Sequence, residues 1–229
     1  VNNFDGMLVI SAFLREIFNR RGIPVLRIPA LYESIPIPTH HHRVKGKLLL
    51  TYIGRLSERD IPETLLQSFE IILERGIDAK LRIIGQSIAS LPSNIISIIK
   101  SNSTFNNRIE FTGYVNKVEF DKYLYETDIF LLLREKSSFS DACFPTRLPE
   151  MLATGRPVIL SSTGDLAEYL THRRNVWFVP AGHHPEKIAE GIFHLYKNID
   201  EADAIGRNGS LAVAEKFYSP IYALQFIDF

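Results

Sequence analysis

KLLLTYIGRLSERDIPETLLQSFEIILERGIDAKLRIIG, residues 47–85, is the stretch that decides the fold of this chain. Two apolar runs, Lys47–Ile53 and Lys80–Ile84, flank the segment Pro62–Arg75, in which apolar residues recur at a helical period of about 3.6. The residues on that apolar face are Leu65, Leu66, Phe69, Ile72 and Leu73. The pattern predicts a strand, a helix and a second strand, and the unbroken apolar runs are typical of a parallel sheet that is buried on both faces.

The same alternation extends over most of the chain in both directions. Further strand-like runs are Met7–Ile10, Val25–Ile28, Arg108–Phe111, Ile129–Leu133, Pro157–Leu160 and Val176–Val179. Further helical patterns are Ala12–Arg21, Ser93–Ser101, Lys117–Thr127, Arg147–Ala153, Leu166–Leu170, Pro185–Asn198, Glu201–Phe217 and Pro220–Phe229. Strands that alternate with helices, joined by right-handed crossovers, form a parallel sheet with helices on both sides. We therefore predict an α/β fold with a doubly wound, Rossmann-like parallel sheet.

The composition is that of a globular protein without a strong overall charge. The 229 residues include 26 basic and 26 acidic side chains, and the resulting net charge of zero gives no footprint for nonspecific nucleic-acid binding. The single cysteine, Cys143, excludes an internal disulfide framework and a cysteine-rich zinc site. No apolar run approaches the roughly 20 residues that span a bilayer. We expect a cytoplasmic protein that binds any anion through a local site.

The periodic pattern is interrupted once, between Pro29 and Lys47. Prolines and basic residues surround His40–His42 there, without a helical or strand period, as in an interdomain linker. Consecutive histidines point in different directions, so a solvated linker is a better interpretation than a metal site. We predict that residues 1–30 are the tail end of a preceding domain, residues 31–46 the linker, residues 47–200 the main domain, and residues 201–229 C-terminal helices that can cross back toward the first domain.

Ligands of doubly wound sheets bind at the carboxyl ends of the strands, so candidate residues are expected in the loops that follow them. Gly54 ends the first strand of the quoted stretch and lets the backbone approach a ligand. Arg55 and Arg59 follow it, and their guanidinium groups suit phosphate, although solvated arginines in an ordinary turn are the alternative. Tyr114, after Gly113, can form a shelf for a base, and a tight turn with a half-buried tyrosine is equally compatible.

The most specific stretch is SDACFPTRLPEMLATGRPVI, residues 140–159. After a long polar loop, a short helix is expected to begin near Pro145 and to end at Gly155. Backbone N–H groups at Thr146 and Arg147, with the Arg147 side chain, would face a pyrophosphate. Glu150 lies one turn further on the same side and can accept hydrogen bonds from ribose hydroxyls, whereas a solvated helix carboxylate is the plainer alternative.

Read in chain order, the motifs are GRL (54–56), LRIIG (81–85), IEFTGYV (109–115), DIFLLL (128–133) and FPTRLPEMLATGRPVI (144–159). This order resembles the C-terminal half of the group 1, family 4-like glycosyltransferases, which are often retaining enzymes of the GT-B fold. The resemblance covers about residues 5–200. It implies a domain that binds a UDP- or GDP-sugar donor without a further cofactor. The carbohydrate or lipid-linked acceptor would bind to a preceding domain that ends with residues 1–30, and a lipid-linked acceptor would bring the full-length enzyme to the membrane surface.

The resemblance also implies roles for individual residues. Arg55, Arg59 and Arg147 would contact the diphosphate and stabilise it as it leaves. The backbone around Tyr114 and Val115 would meet the base, and Glu150, as the second acid of a paired-acid motif, would bind the ribose. The other residues expected at the donor site are Gly54, Asp141, Phe144, Thr146 and Leu148.

Two positions depart from the family pattern. Ala142 stands where the first acid of the pair is usual. Either Asp141, one residue earlier, substitutes for it, or the sequence belongs to a branch of the family, with a basic residue after Phe-Pro-Thr, that lacks the first acid. Asp60 stands where a diphosphate-binding lysine is usual, which leaves that role to Arg59. Both departures bear on how complete the donor site is, because each removes a charged side chain that the family pattern provides.

We therefore predict a glycosyltransferase in which this part of the chain stabilises the leaving diphosphate and is inactive by itself. No Asp-x-Asp motif is present, so no metal site is expected, and Cys143 is interpreted as a filler and not a nucleophile. Two alternatives stay open. A nucleotide-sugar epimerase would bind the same ligand but needs acid/base residues, and a GT-B-like domain without chemistry would serve as a binding or assembly module.

Overall fold

A computed structural model describes residues 5–34 and 46–229, and within these ranges eight strands form two parallel sheets. The strands are β1 (Met7–Val9), β2 (Val25–Arg27), β3 (Leu48–Ile53), β4 (Ala79–Ile84), β5 (Ile109–Gly113), β6 (Ile129–Leu132), β7 (Val158–Ser161) and β8 (Trp177–Val179). Every strand-like run of the sequence analysis corresponds to one of them, with small differences at the ends. The linker predicted at residues 31–46 falls largely on residues 35–45, which lie outside the described ranges.

The helices of the described residues alternate with these strands. They are α1 (Ala12–Asn19), α2 (Pro62–Glu74), α3 (Ser93–Ser101), α4 (Lys117–Glu126), α5 (Ser138–Ala142), α6 (Leu148–Ala153), α7 (Leu166–Tyr169), α8 (Pro185–Lys197), α9 (Ile199–Lys216) and α10 (Pro220–Ile227). One prediction was wrong here, because α5 lies in the segment expected to be a polar loop. The Ser137 hydroxyl starts α5 by accepting from the Ser140 N–H at 3.2 Å, a local cap that a search for apolar periodicity passes over.

The six strands of the larger sheet are ordered β5-β4-β3-β6-β7-β8, and all neighbouring strands pair in parallel. The chain runs outward from β3 through β4 to β5, then returns to the other side of β3 as β6 and continues outward to β8. This confirms the predicted α/β, doubly wound parallel sheet. It also places the topological switch point between β3 and β6, where the loops that follow the two strands separate and leave a crevice.

The core lies on both faces of this sheet. Successive residues of β6 alternate, so that Ile129 and Leu131 join the cluster under α2 and α8 while Phe130 and Leu132 join the cluster under α6 and α9. The middle of the sheet is therefore mostly apolar, and a buried polar side chain there, such as Thr51 of β3, bonds to a partner.

The small β1–β2 sheet and α1 pack against loops of the larger sheet. The Ser11 hydroxyl donates to the Ala142 carbonyl at 2.9 Å, and the buried Asp165 carboxylate accepts from the Ala12 N–H at 3.0 Å and from Arg27 at 2.6 Å. These contacts couple the first segment of the chain to the loops after β6 and β7. The proposed domain boundaries stay a prediction, but the contacts show where the two parts meet.

The C-terminal helix α10 returns to the first segment. Its end brings the Phe229 ring so close to Gly6 that a Cβ on this glycine would meet the ring at 2.5 Å. The Tyr32 N–H, in the segment after β2, donates to the Phe217 carbonyl at 2.7 Å. Leu224 and Ile227 remain exposed on α10. These contacts join the C-terminal segment to the first segment, and the return of the C-terminal helices toward a preceding domain stays a prediction.

Helix α9 approaches the end of α6 so closely that only glycine fits at position 206. A Cβ on Gly206 would lie 2.0 Å from the Gly155 carbonyl oxygen, which cannot move aside without displacing the turn before β7. We expect Gly206→Ala to lower the free energy of unfolding by about 1–3 kcal/mol in urea denaturation, as overpacking does. Leu211→Ala, at an exposed position of the same helix, is the control and should change it by less than about 0.5 kcal/mol. Equal stability of Gly206→Ala and the wild type would contradict this packing.

Candidate functional site

The loops after β3, β4 and β5 begin at the same level of the sheet. The Gly54 N–H donates to the Ile84 carbonyl at 2.9 Å, and the Gly85 N–H donates to the Gly113 carbonyl at 3.0 Å. Gly54 has a φ of 129°, a backbone conformation that residues other than glycine rarely adopt. The backbone can therefore turn away at the strand end without a side chain to block the edge, and the three loops share one opening.

A first cleft lies between these loops and the start of α4, and we call it the Tyr114 cleft. Its lining residues are Ile53, Gly54, Arg55, Ile84, Gly85, Tyr114, Val115, Asn116, Lys117, Phe120 and Arg147. None of these residues is acidic, whereas Arg55, Lys117 and Arg147 are cationic. Tyr114 is 90% exposed, so both its ring and its backbone are accessible from the cleft. The cleft combines positive charge, apolar walls and free aromatic surface.

Arg147 and Glu150 form an ion pair at the rim of the Tyr114 cleft. Arg147 Nη1 donates to both carboxylate oxygens of Glu150, at 3.1 and 2.8 Å, and its guanidinium carbon lies 5.3 Å from the centre of the Phe120 ring. The pair holds the carboxylate next to the cleft. A ribose that bonds to Glu150 has to share these oxygens with Arg147 or displace it.

A second cleft, the Arg59 cleft, lies between the turn after β3 and the loops after β6 and β7. Its lining residues are Ser57, Arg59, Arg134, Phe139, Ser140, Cys143, Phe144, Pro145, Thr146 and Thr163. The guanidinium carbon of Arg59 lies 3.8 Å from the centre of the Phe139 ring, a cation–π contact that orients its charge. The lining residues are again free of acidic side chains and carry two arginines and several hydroxyl groups.

Asp60 lies behind the Arg59 cleft and is buried. Its carboxylate accepts from the N–H and the hydroxyl of Ser57, at 3.1 and 2.5 Å, and pairs with Arg134 Nη1 at 2.5 Å. Burial and the neighbouring Asp60 carboxylate raise the pKa of the Tyr52 phenol well above its ordinary value, so Tyr52 stays neutral. The position where a lysine is usual in the family pattern thus holds a carboxylate that binds an arginine from the loop after β6.

The structure brings most of the predicted site residues into the two clefts. Gly54, Arg55, Tyr114, Val115 and Arg147 line the Tyr114 cleft. Arg59, Phe144 and Thr146 line the Arg59 cleft, in which Phe144 is buried and packs against Tyr169.

Three predicted residues do not line either cleft. Asp141 accepts from the Gly164 N–H at 3.0 Å, so its carboxylate fixes the loop after β7. The Leu148 side chain is fully buried in the core, and its N–H donates to the Pro145 carbonyl at 3.0 Å. Glu150 reaches the rim only through Arg147. The helix α6 also begins three residues after the start expected near Pro145, at Leu148, with Arg147 at its N-cap.

Sequence reasoning missed several lining residues, among them one aromatic, one amide and two cationic side chains. Asn116, Lys117 and Phe120 belong to the start of α4, and Arg134 follows the last strand residues of β6. A signal existed for the first group, because Asn116 and Glu119 form a capping box that marks a helix start directly after Tyr114. Arg134 lies in a loop that follows a strand, where candidates were expected, but nothing local distinguishes it from the neighbouring charged residues.

Neither a metal cluster nor a membrane-spanning helix is found in residues 5–34 and 46–229. Within these ranges no group of three or more His, Cys, Asp and Glu residues is placed to hold a metal ion. None of their helices has the length and apolar character that a bilayer crossing requires. The predicted role of His40–His42 as a linker falls outside the described residues.

The parallel sheet, with two cationic clefts at the carboxyl ends of its strands, defines the class of Rossmann-like α/β domains. Comparison with family models adds the family itself. Residues 47–198 match the model of the glycosyl transferases group 1, and the chain belongs to this family. The suspected relationship to group 1 glycosyltransferases is thereby confirmed.

Curated relatives are similar over part of their length. An uncharacterized glycosyltransferase of Methanocaldococcus jannaschii is 26% identical over 170 residues, which cover 74% of this chain and 41% of the relative. The amylovoran biosynthesis glycosyltransferase AmsK of Erwinia amylovora is 26% identical over 136 residues, which cover 59% of this chain and 33% of the relative. This chain thus spans less than half the length of these two relatives.

Solved structures share the fold over nearly the whole chain. Sucrose-phosphate synthase from Thermosynechococcus elongatus has a TM-score of 0.81 at 20% identity, with 99% of this chain and 57% of that chain covered. Anabaena HepE in complex with UDP-glucose has a TM-score of 0.78 at 14% identity, with 99% and 64% covered. At such low identity the likeness establishes the GT-B-type fold, and each of these proteins extends well beyond the shared part.

Proposed function

We propose that this chain binds the nucleoside diphosphate of a sugar nucleotide and that the protein containing it transfers the sugar to a carbohydrate or lipid-linked acceptor. The observation that carries the proposal is the presence of two cationic clefts at one edge of the sheet, free of acidic lining residues. A neutral chain concentrates positive charge there, where a dianionic ligand would bind. The complexes of similar folds with UDP-glucose, and with UDP and GlcNAc, support a UDP-sugar.

In this proposal the nucleoside occupies the Tyr114 cleft. The backbone of Tyr114 and Val115 offers hydrogen bonds to the base, and Phe120 offers an aromatic face. Glu150 accepts from the ribose hydroxyls once Arg147 turns toward the phosphates. Arg55 and Lys117, which line the same cleft, attract the phosphate that is attached to the ribose.

The distal phosphate and the sugar then lie toward the Arg59 cleft. When the bond between the anomeric carbon and the phosphate oxygen breaks, its electron pair stays on the diphosphate. Arg59 and Arg147 would stabilise this growing charge, and each such contact is worth on the order of 2–4 kcal/mol in the barrier. Thr146 offers a hydroxyl at the same place. We propose a retaining outcome from the family resemblance alone.

The acceptor side lies where the β1–α1–β2 segment and α10 meet. Leu8, Phe13, Leu224 and Ile227 are exposed apolar residues of these elements, and a preceding acceptor domain packed there would cover them. Relatives named for amylovoran and capsular polysaccharide biosynthesis support a carbohydrate acceptor. In this proposal the 229-residue chain binds donor but does not catalyse, and the whole enzyme works in the cytoplasm, at the membrane surface if its acceptor is lipid-linked.

The function is tested by product analysis with the protein that includes its acceptor-side domain. This protein is incubated with a panel of UDP- and GDP-sugars and candidate acceptors. If it is a glycosyltransferase, it should release the nucleoside diphosphate from one of these donors. An epimerase would instead convert the sugar nucleotide into its epimer without release. Binding without either product would favour the binding module, and absence of both binding and products would refute the proposal.

The single cysteine provides a direct probe of the Arg59 cleft. Cys143 is exposed and lines this cleft, so a bound nucleoside diphosphate should shield it. We expect saturating UDP or GDP to slow modification of the Cys143 thiol by a maleimide several-fold, whereas NAD at the same concentration should leave the rate unchanged. Calorimetrically observed binding of UDP without any protection of Cys143 would place the diphosphate elsewhere.

Glu150 provides a test of the Tyr114 cleft. Glutamine keeps the shape of Glu150 but loses its charge and one acceptor, so Glu150→Gln should weaken nucleoside diphosphate binding by about 1.5–3 kcal/mol in calorimetric titration. The matched control is Glu190→Gln, which removes another helical ion pair of the same spacing, between Lys187 and Glu190 on α8. This control should leave the affinity unchanged. If Glu150→Gln lowers only the melting temperature, Glu150 is a structural carboxylate.

A further inference from the structure

Arg134 is held in place at the switch point from three sides. Its N–H donates to the Ser161 hydroxyl at 3.0 Å, and its carbonyl accepts from the Gly182 N–H at 3.0 Å. Its side chain pairs with Asp60 on the far side of the crevice. The residue thus connects the loops after β3, β6 and β8 with the end of β7. These contacts restrain both its backbone and its guanidinium group.

The Asp60–Arg134 pair is unequally exposed. The Asp60 side chain is 5% exposed, whereas the Arg134 side chain is 34% exposed and lines the Arg59 cleft. The carboxylate therefore cannot meet a ligand, but the guanidinium has further N–H donors beyond the one used by Asp60. An arginine of this kind can bridge a buried carboxylate and an anion in the cleft, because its fork presents donors in two directions.

The surroundings of Asp60 fix its position in turn. Both Ser57 donors bind one carboxylate oxygen, which leaves the other oxygen to Arg134. Ile61, the next residue, is buried with a φ of 44°, a left-handed conformation that is costly for a β-branched side chain. The turn adopts this conformation, and the Asp60 side chain lies buried behind the Arg59 cleft.

We infer that Arg134 binds the distal phosphate of the donor and that Asp60 is the residue that positions it. This inference rests on the proposed function and deepens it, since it assigns a binding residue that the motifs do not contain. Arg59 and Arg134 then flank the distal phosphate from two loops, and the buried Asp60 preorganises one of these charges before the ligand arrives. The carboxylate at position 60 is accordingly part of the phosphate site, although it repels phosphate by itself.

The test compares diphosphate with monophosphate. The chain and its variants are titrated calorimetrically with UDP and UMP, and with GDP and GMP, and the pair that the wild type binds is used. Arg134→Gln should weaken diphosphate binding about tenfold or more and leave monophosphate binding within about twofold, because only the distal phosphate reaches the Arg59 cleft. Arg134→Lys keeps the charge but loses the forked guanidinium group. Its diphosphate affinity should therefore lie between those of the wild type and Arg134→Gln.

The matched control is Arg108→Gln. Arg108 pairs with Asp78 at 2.5 Å, the same distance as the Asp60–Arg134 pair, and neither of these two residues lines the Tyr114 or the Arg59 cleft. This variant should change neither affinity. It shows what the loss of a more exposed arginine–aspartate pair, outside both clefts, does to the protein as a whole.

Asp60→Asn separates positioning from general stability. If Asp60 acts through Arg134, this variant lowers diphosphate affinity, spares monophosphate affinity, and adds no further loss in the Arg134→Gln background. A merely structural role would lower both affinities and add to the Arg134 effect, which would overturn the role assigned to Asp60. A diphosphate-to-monophosphate ratio that stays at the wild-type value in both Arg134 variants would overturn the inference while the proposed function stands. Wild-type chain that binds no nucleotide at millimolar concentration would refute the proposed function itself.

Discussion

The site depends on the position of β3 between β4 and β6 in the sheet. Because the chain leaves β3 on one side and returns on the other, the loops after β3 and β6 diverge and leave an opening that no crossover helix fills. The Tyr114 cleft and the Arg59 cleft both border the turn after β3, one toward β5 and the other toward β7. Most of the side chains proposed for ligand binding line one of these two clefts.

Three of the arginines at this opening are each held by a partner. Arg59 lies over Phe139, Arg147 is bound by Glu150, and Arg134 is bound by Asp60. A guanidinium without such a partner would sample many rotamers in water, and a ligand would have to order it on binding. Partners fix the direction of the positive charge in advance, but they also offset part of it. The two effects oppose each other in ground-state affinity, whereas preorganisation favours a transition state in which negative charge grows.

The contacts between the first segment and the loops of the larger sheet also hold charged side chains in place through partners. Asp165 receives the Ala12 N–H and the Arg27 guanidinium, while Glu168 on α7 bonds to Arg27 at 2.7 Å. The hydrogen bond with Arg27 lowers the pKa of Glu168. The same stretch of chain contains Thr163, which lines the Arg59 cleft, and Gly164, which Asp141 fixes. An acceptor domain attached to the first segment would therefore be fastened close to the loops that we propose hold the sugar.

The sequence by itself determined the order and kind of the elements except α5, because apolar periodicity, capping residues and glycine turns are local signals. It also located Gly54, Tyr114 and the segment after Phe144, since each follows a strand and carries a recognisable motif. Only the tertiary structure decided that Asp60 meets Arg134, that Asp141 binds Gly164, and that the Leu148 side chain is buried. The two contacts join residues that are distant in the chain. The burial of Leu148 depends on which face of the short helix α6 packs against the core. Strand order brings such residues together, and no local pattern encodes that order.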